Sequence, residues 1–113
     1  MEKKTLTDYV EFNSGRLTKR VIFNDGTCTV FVLNFQPGQS LPKHRHPGTN
    51  VFIHVLSGQG LFIVDSHSVH AQKNDVFVVG GEEEFSFENN GSANVSLYVM
   101  LNKLPGEQYG KNF

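Results

Sequence analysis

Three of the chain's five histidines lie in one stretch, "PKHRHPGTNVFIHVLSGQG", residues 42–60. His44 and His46 are two apart, and on a strand such residues point to the same face. Two imidazoles on one face can chelate a single ion, and neutral imidazole suits Zn, Cu, Fe and Ni. Two donors alone bind weakly, because a structural zinc takes four protein ligands and a catalytic one about three. A third donor must come from elsewhere. Asn50 offers a weak amide oxygen, and His54 offers a third ring. Counting back from Gly58 turns Val51, Ile53 and Val55 inward and His54 outward. Counting forward from His46 turns Asn50, Phe52 and His54 inward. The counts differ by one residue, which a β-bulge absorbs, and a slip of one exchanges the two faces. Both faces read apolar, so both registers stay open.

The elements that must position these groups read as strands. Turn signals recur every eight to twelve residues or so, the spacing of an all-β sandwich or barrel. "NDGT" (24–27) separates "KRVIF" from "CTVFVLNF", and an Asp-Gly pair between β-rich runs marks a hairpin. "QPGQSLP" is a loop, "SGQG" (57–60) turns "NVFIHVL" into "LFIVD", and "DSHS" (65–68) is a tight turn. "GGEE" interrupts "VFVV" and "EFSFE", and "NNGSAN" leads into "VSLYVML". No long stretch repeats at helical period. Eight or nine strands are expected, with almost no helix. Ten Phe and no Trp can fill both faces of short strands, which favours a closed or two-layered structure.

The bulk numbers narrow the function classes. A length of 113 residues fits one domain burying roughly 65% of its unfolded surface. The formal net charge is -1, with Lys and Arg scattered, so neither nucleic acid nor an anionic membrane is the expected partner. No apolar run approaches the ~20 residues of a membrane span. Cys28 is the single cysteine, so no internal disulfide forms. "MEKKTLTDYV" lacks the apolar core of a secretory signal. A soluble cytoplasmic protein is expected.

With the motifs in view, residues 28–102 resemble the cupins, small double-stranded β-helix (jelly-roll) barrels. The first cupin motif runs Gly, five residues, His-x-His, three or four residues, Glu, six residues, Gly. Gly38, His44, His46, Val51 and Gly58 fall on it in spacing. The second runs Gly, five residues, Pro-x-Gly, two residues, His, three residues, Asn. Asn74, "GGE" (80–82), Phe85 and Asn89 fall on it. The resemblance implies one cupin domain over residues 1–113, with an N-terminal arm (1–15), the motif core (28–102) and a C-terminal tail (103–113). It also implies a homodimer built by sheet augmentation through the arm. Cupins usually hold a divalent metal with the two His and Glu of the first motif and the His of the second. Here the Glu position falls on Val51, or on Asn50 at the shorter spacing, and the second His falls on Phe85.

The candidate pocket residues are therefore His44, His46, Asn50, Phe85 and His54, and the candidate metal ligands are His44 and His46. The cofactor is either none or a divalent transition metal such as Zn, Mn, Fe or Ni, since a neutral donor set disfavours Mg and Ca. The first functional expectation is a barrel pocket that binds a small molecule with little or no catalysis. The second is a metal-dependent enzyme of dioxygenase or isomerase type using the reduced histidine pair. A metal-free epimerase or isomerase ranks last, because its base would need a carboxylate partner and no inward Asp or Glu is evident. Glu82 to Glu84 read as a solvated turn that could alternatively supply a base. His67 and His70 read as surface residues, and Lys43 and Arg45 as pointing away from the pocket.

Overall fold

The turns read from the sequence cut the chain into nine strands, seen in a computed structural model that describes residues 1–104. They are β1 (Thr18–Asn24), β2 (Cys28–Phe35), β3 (Ser40–His44), β4 (Thr49–Ser57), β5 (Gln59–Val64), β6 (His67–Gln72), β7 (Val76–Val79), β8 (Phe85–Glu88) and β9 (Val95–Lys103). The helical content of the described residues is one 3-10 turn, Leu6–Tyr9. The strands form two antiparallel sheets, ordered β1-β2-β9-β4-β7 and β3-β8-β5-β6. This is the expected double-stranded β-helix.

Local chemistry sets the turns. Asp25 Oδ1 accepts the backbone N–H groups of Thr27 at 2.9 Å and Cys28 at 2.8 Å, closing the β1–β2 hairpin. Asp65 and Ser66 take φ of 46° and 73°, the handedness a two-residue hairpin needs to follow strand twist. Gly58 (φ 78°) carries the chain from one sheet to the other. A Cβ at Gly58 would lie 2.3 Å from the Asn94 carbonyl oxygen.

Alternation then fills the space between the sheets. β2 contributes Phe31, Leu33 and Phe35, β4 contributes Val51, Ile53 and Val55, and β9 contributes Val95, Leu97 and Val99. Phe62, Ala71, Phe85 and Phe87 meet them from the smaller sheet. Phe87 stacks tilted on Phe35 and Phe62, with ring centroids 4.9 and 4.7 Å apart. It fits because β5 has a glycine, Gly60, there, where a Cβ would lie 2.3 Å from the Phe87 ring. Among the described residues the buried side-chain N and O atoms all have hydrogen-bond partners, as buried polar groups need. Ser96 Oγ donates to Asn34 Oδ1 (2.7 Å), and Asn89 Nδ2 donates to the carbonyls of Phe35 (3.2 Å) and Ala93 (2.9 Å).

A second apolar cluster, Ile22, Val30 and Val32, lies on the outer face of the larger sheet with Tyr9, Cys28, Leu56, Tyr98 and Met100 against it. The N-terminal arm lies along its own barrel here. Lys4 Nζ donates to the Ile22 carbonyl at 2.7 Å, and Asn34 Nδ2 donates to the Tyr9 carbonyl at 3.0 Å. At the other end β9 continues through Lys103, one residue into the expected tail. Residues 105–113 lie outside the described residues.

Candidate functional site

The site grows from an irregular strand. β3 pairs with β8 as Leu41↔Phe87 and His44↔Phe85, with a register shift between them. Leu41 and His44 are three apart and would face opposite sides of a regular strand. The bulge turns both into one cavity. His46 lies just past the strand, held by its own backbone. Its N–H donates to the Gly81 carbonyl (3.2 Å), and its carbonyl accepts from Thr49 N–H (3.0 Å). Gly81 is pressed so closely that a Cβ would lie 2.4 Å from the His46 carbonyl oxygen.

The two imidazoles meet edge to face, with centroids 4.8 Å apart at 86°. Phe85 stacks tilted against His44 at 4.4 Å and lies 6.3 Å from His46. His44 Nδ1 lies 2.8 Å from the Pro42 carbonyl oxygen. A carbonyl can only accept, so Nδ1 carries the hydrogen and Nε2 of the neutral ring keeps its lone pair. The His46 pKa is held below the ordinary imidazole value, first by burial, then by His44 and by the Lys19 charge.

Behind the histidines is a cavity of about 230 Å³, lined by Lys19, Phe31, Leu33, Leu41, His44, His46, Val51, Ile53, Phe62, Phe85, Leu97, Val99 and Leu101. Three sequence-derived candidates, His44, His46 and Phe85, are brought together on its wall. Asn50 and His54 are not, and the register counted back from Gly58 is the one observed. Val51 is 1% exposed and Ile53 3%, so their neighbours Asn50, Phe52 and His54 face outward. His54 lines a groove on the opposite face of the sheet with Phe52, Val76, Val78, Tyr98 and Met100. Its Nε2 is 3.4 Å from Asn74 Oδ1.

Lys19 is a site residue that the sequence reading does not find. Its Nζ sits 4.5 Å from the centroid of the Phe31 ring. Near the hairpin turn, Phe23 pairs with Val30, and that register carried onward would set Lys19 opposite Asn34 on the outer face. The register shifts between Val21 and Phe23, so Lys19 pairs with Leu33 and shares its inward side. One extra residue in β1 thus puts an ammonium at the cavity mouth.

Among the described residues no carboxylate lines the cavity. Glu83 Oε1 accepts from Gly80 N–H (2.8 Å), and Glu84 lies 3.6 Å from the Arg45 guanidinium, which points away from the cavity. His67 and His70 are exposed on β6. Among the described residues no three His, Cys, Asp or Glu side chains are grouped to hold an ion. Val51 and Phe85, at the two positions where the motif resemblance implies a carboxylate and a further imidazole, are both buried apolar side chains. Two histidines do not fit a tightly held metal.

A model of the cupin domain matches residues 31–101, more than half of the chain, and the chain belongs to the cupin family. An oxalate-binding protein of Thermotoga maritima is 26% identical over 69 residues, spanning 61% of this chain and 57% of that protein. The chain thus matches just over half the length of that curated relative. The TT1209 protein of Thermus thermophilus superposes with a TM-score of 0.86 at 19% identity, over 93% of this chain and all (100%) of the other. An RmlC-like cupin protein from Desulfovibrio desulfuricans superposes at 0.80 with 22% identity, over 90% of this chain and 96% of that one. At such identities the structural likenesses establish the fold alone.

Proposed function

We propose that this cupin binds a small molecule in its barrel cavity and does so with little or no catalysis. The observation that carries the reading is the wall itself: an apolar, Phe-lined cavity with a few polar groups, the usual build of a small-molecule site. The volume lies below the roughly 300–1,000 Å³ of pockets for drug-sized ligands, so the occupant is small. The name of the T. maritima relative, an oxalate-binding protein, supports a binding role. An acid-base role for His44 would need a carboxylate to orient and charge it, and none lines the cavity among the described residues.

The test is an NMR titration with small organic fragments, resolving imidazole, methyl and aromatic signals. Shifts centred on His44, His46, Val51 and Phe85 are expected. Shifts confined to the outer groove around Phe52 and His54, or none for any fragment, would overturn the reading. The metal-dependent alternative keeps one supporting observation, the His44 Nε2 lone pair.

The same proposal includes a homodimer in the cytoplasm, formed at β7 and not through the N-terminal arm, which packs on its own barrel. β7 is an edge strand of the larger sheet, and its outward Val76 and Val78 are 72% and 62% exposed. Packing of this outer face, which also carries Phe52, Tyr98 and Met100, against the same face of a second copy would cover them by a self-complementary contact. A lone, unpaired cysteine suits a reducing compartment. No helix among the described residues is long and apolar enough to cross a membrane.

A further inference from the structure

The polar groups of the cavity are unevenly placed. Among the described residues, Lys19, His44 and His46 are its three polar lining residues. Lys19 is exposed and the two histidines are half-buried, so they mark the mouth. Ile53, Phe62 and Leu97, also on the wall, are 3%, 2% and 1% exposed, so the floor is hydrocarbon and aromatic. The sign of the fixed charge is positive, and no lining carboxylate among the described residues neutralises it.

Resting on the small-molecule reading above, we propose that the cavity takes a small monocarboxylate with an apolar body. The ligand's carboxylate pairs with the Lys19 ammonium at the mouth, and its body lies against the floor. The Lys19 ammonium already sits over the Phe31 ring, where the ring's quadrupole favours a cation. An ammonium–carboxylate hydrogen bond is among the stronger kinds available. The His46 ring has no hydrogen-bond partner among the described residues and can donate to the second carboxylate oxygen. A cationic ligand would meet Lys19 as a like charge. A dicarboxylate would bring its second charge to a floor without donors, where an unpaired charge is strongly disfavoured.

Calorimetric titration separates these cases. The probes are benzoate and isovalerate, their neutral amides, and oxalate, against the wild-type chain and the Lys19→Met and Lys19→Arg variants. Methionine keeps an apolar stem beside Phe31 while removing the charge. At least one of the two acids is expected to bind tenfold or more tighter than its amide. Lys19→Met should erase that advantage, Lys19→Arg should keep most of it, and oxalate should bind more weakly than the acid. An amide that binds as tightly as its acid, or affinity for the acid unchanged in Lys19→Met, would overturn the carboxylate assignment and leave the pocket reading standing. Oxalate binding as tightly as the acid would overturn the restriction to one carboxylate. Absence of binding by every acid and amide would overturn both.

Discussion

Phe85 decides the chemistry of the two histidines, because its ring fills the space on which a further donor would converge. It is 3% exposed and lies against His44. Val51, 1% exposed, is a second apolar residue on the same cavity wall. Replacing both, Val51→Glu with Phe85→His, restores the donor types that cupin centres use. That variant is expected to bind Ni or Zn at least about tenfold tighter than the parent, since it moves from two ligands toward four; equal affinity in a competition assay would count against this view of the site. His46 gives a second, pH-dependent prediction. Its pKa is lowered in the fold from 6.5, so the unfolded chain binds more protons once the pH falls below that value. The associated stability is complete above about pH 6.5 and is lost as the pH falls through the lowered folded value. Denaturant midpoints measured from pH 7.5 to 5 should fall less steeply in His46→Gln than in the parent, and identical slopes would exclude His46 as the source.

At the scale of elements, two irregularities build the cavity, and neither was legible beforehand. The hairpin turns, the strand count and the His44/His46 pair follow from turn chemistry and alternation, which are local. The inward turn of Lys19 depends on the register shift between Val21 and Phe23. The joint inward turn of Leu41 and His44 depends on the shift between those two residues. Nothing in the residue types marks either bulge, because the alternatives differ in tertiary packing and not in local preference. The same limit leaves the facing of Asn50 and His54 open in the sequence, and the burial of Val51 and Ile53 in the core turns both outward. Gly81 shows how the loop before β8 holds His46 in place. Gly81→Ala would force a methyl into the His46 carbonyl, an overpacking that costs about 1–3 kcal/mol. Thermal melting should register this as a drop of several degrees, with displaced His46 ring signals; an unchanged melting temperature would show that the contact relaxes freely.

On the scale of the whole molecule, the larger sheet has two apolar faces with different fates. Its inner face closes the core against β5 and β8, and part of its outer face is covered by the chain's own N-terminal arm. The part left open runs from Phe52 to Val76 and Val78 on β4 and β7. Sedimentation of the parent should give a dimer, and Val76→Lys with Val78→Lys should give a folded monomer; a dimer that survives both charges would place the interface elsewhere. Within the barrel the question is whether His44 and His46 serve a metal or an organic ligand. Elemental analysis of untagged protein purified without chelator, beside the His44→Ala/His46→Ala double variant, addresses that directly. Two donors backed by Val51 and Phe85 predict far less than one transition-metal ion per chain, with no difference between parent and variant. A near-stoichiometric transition metal in the parent, absent from the variant, would contradict an organic-ligand pocket and make the barrel a metal centre.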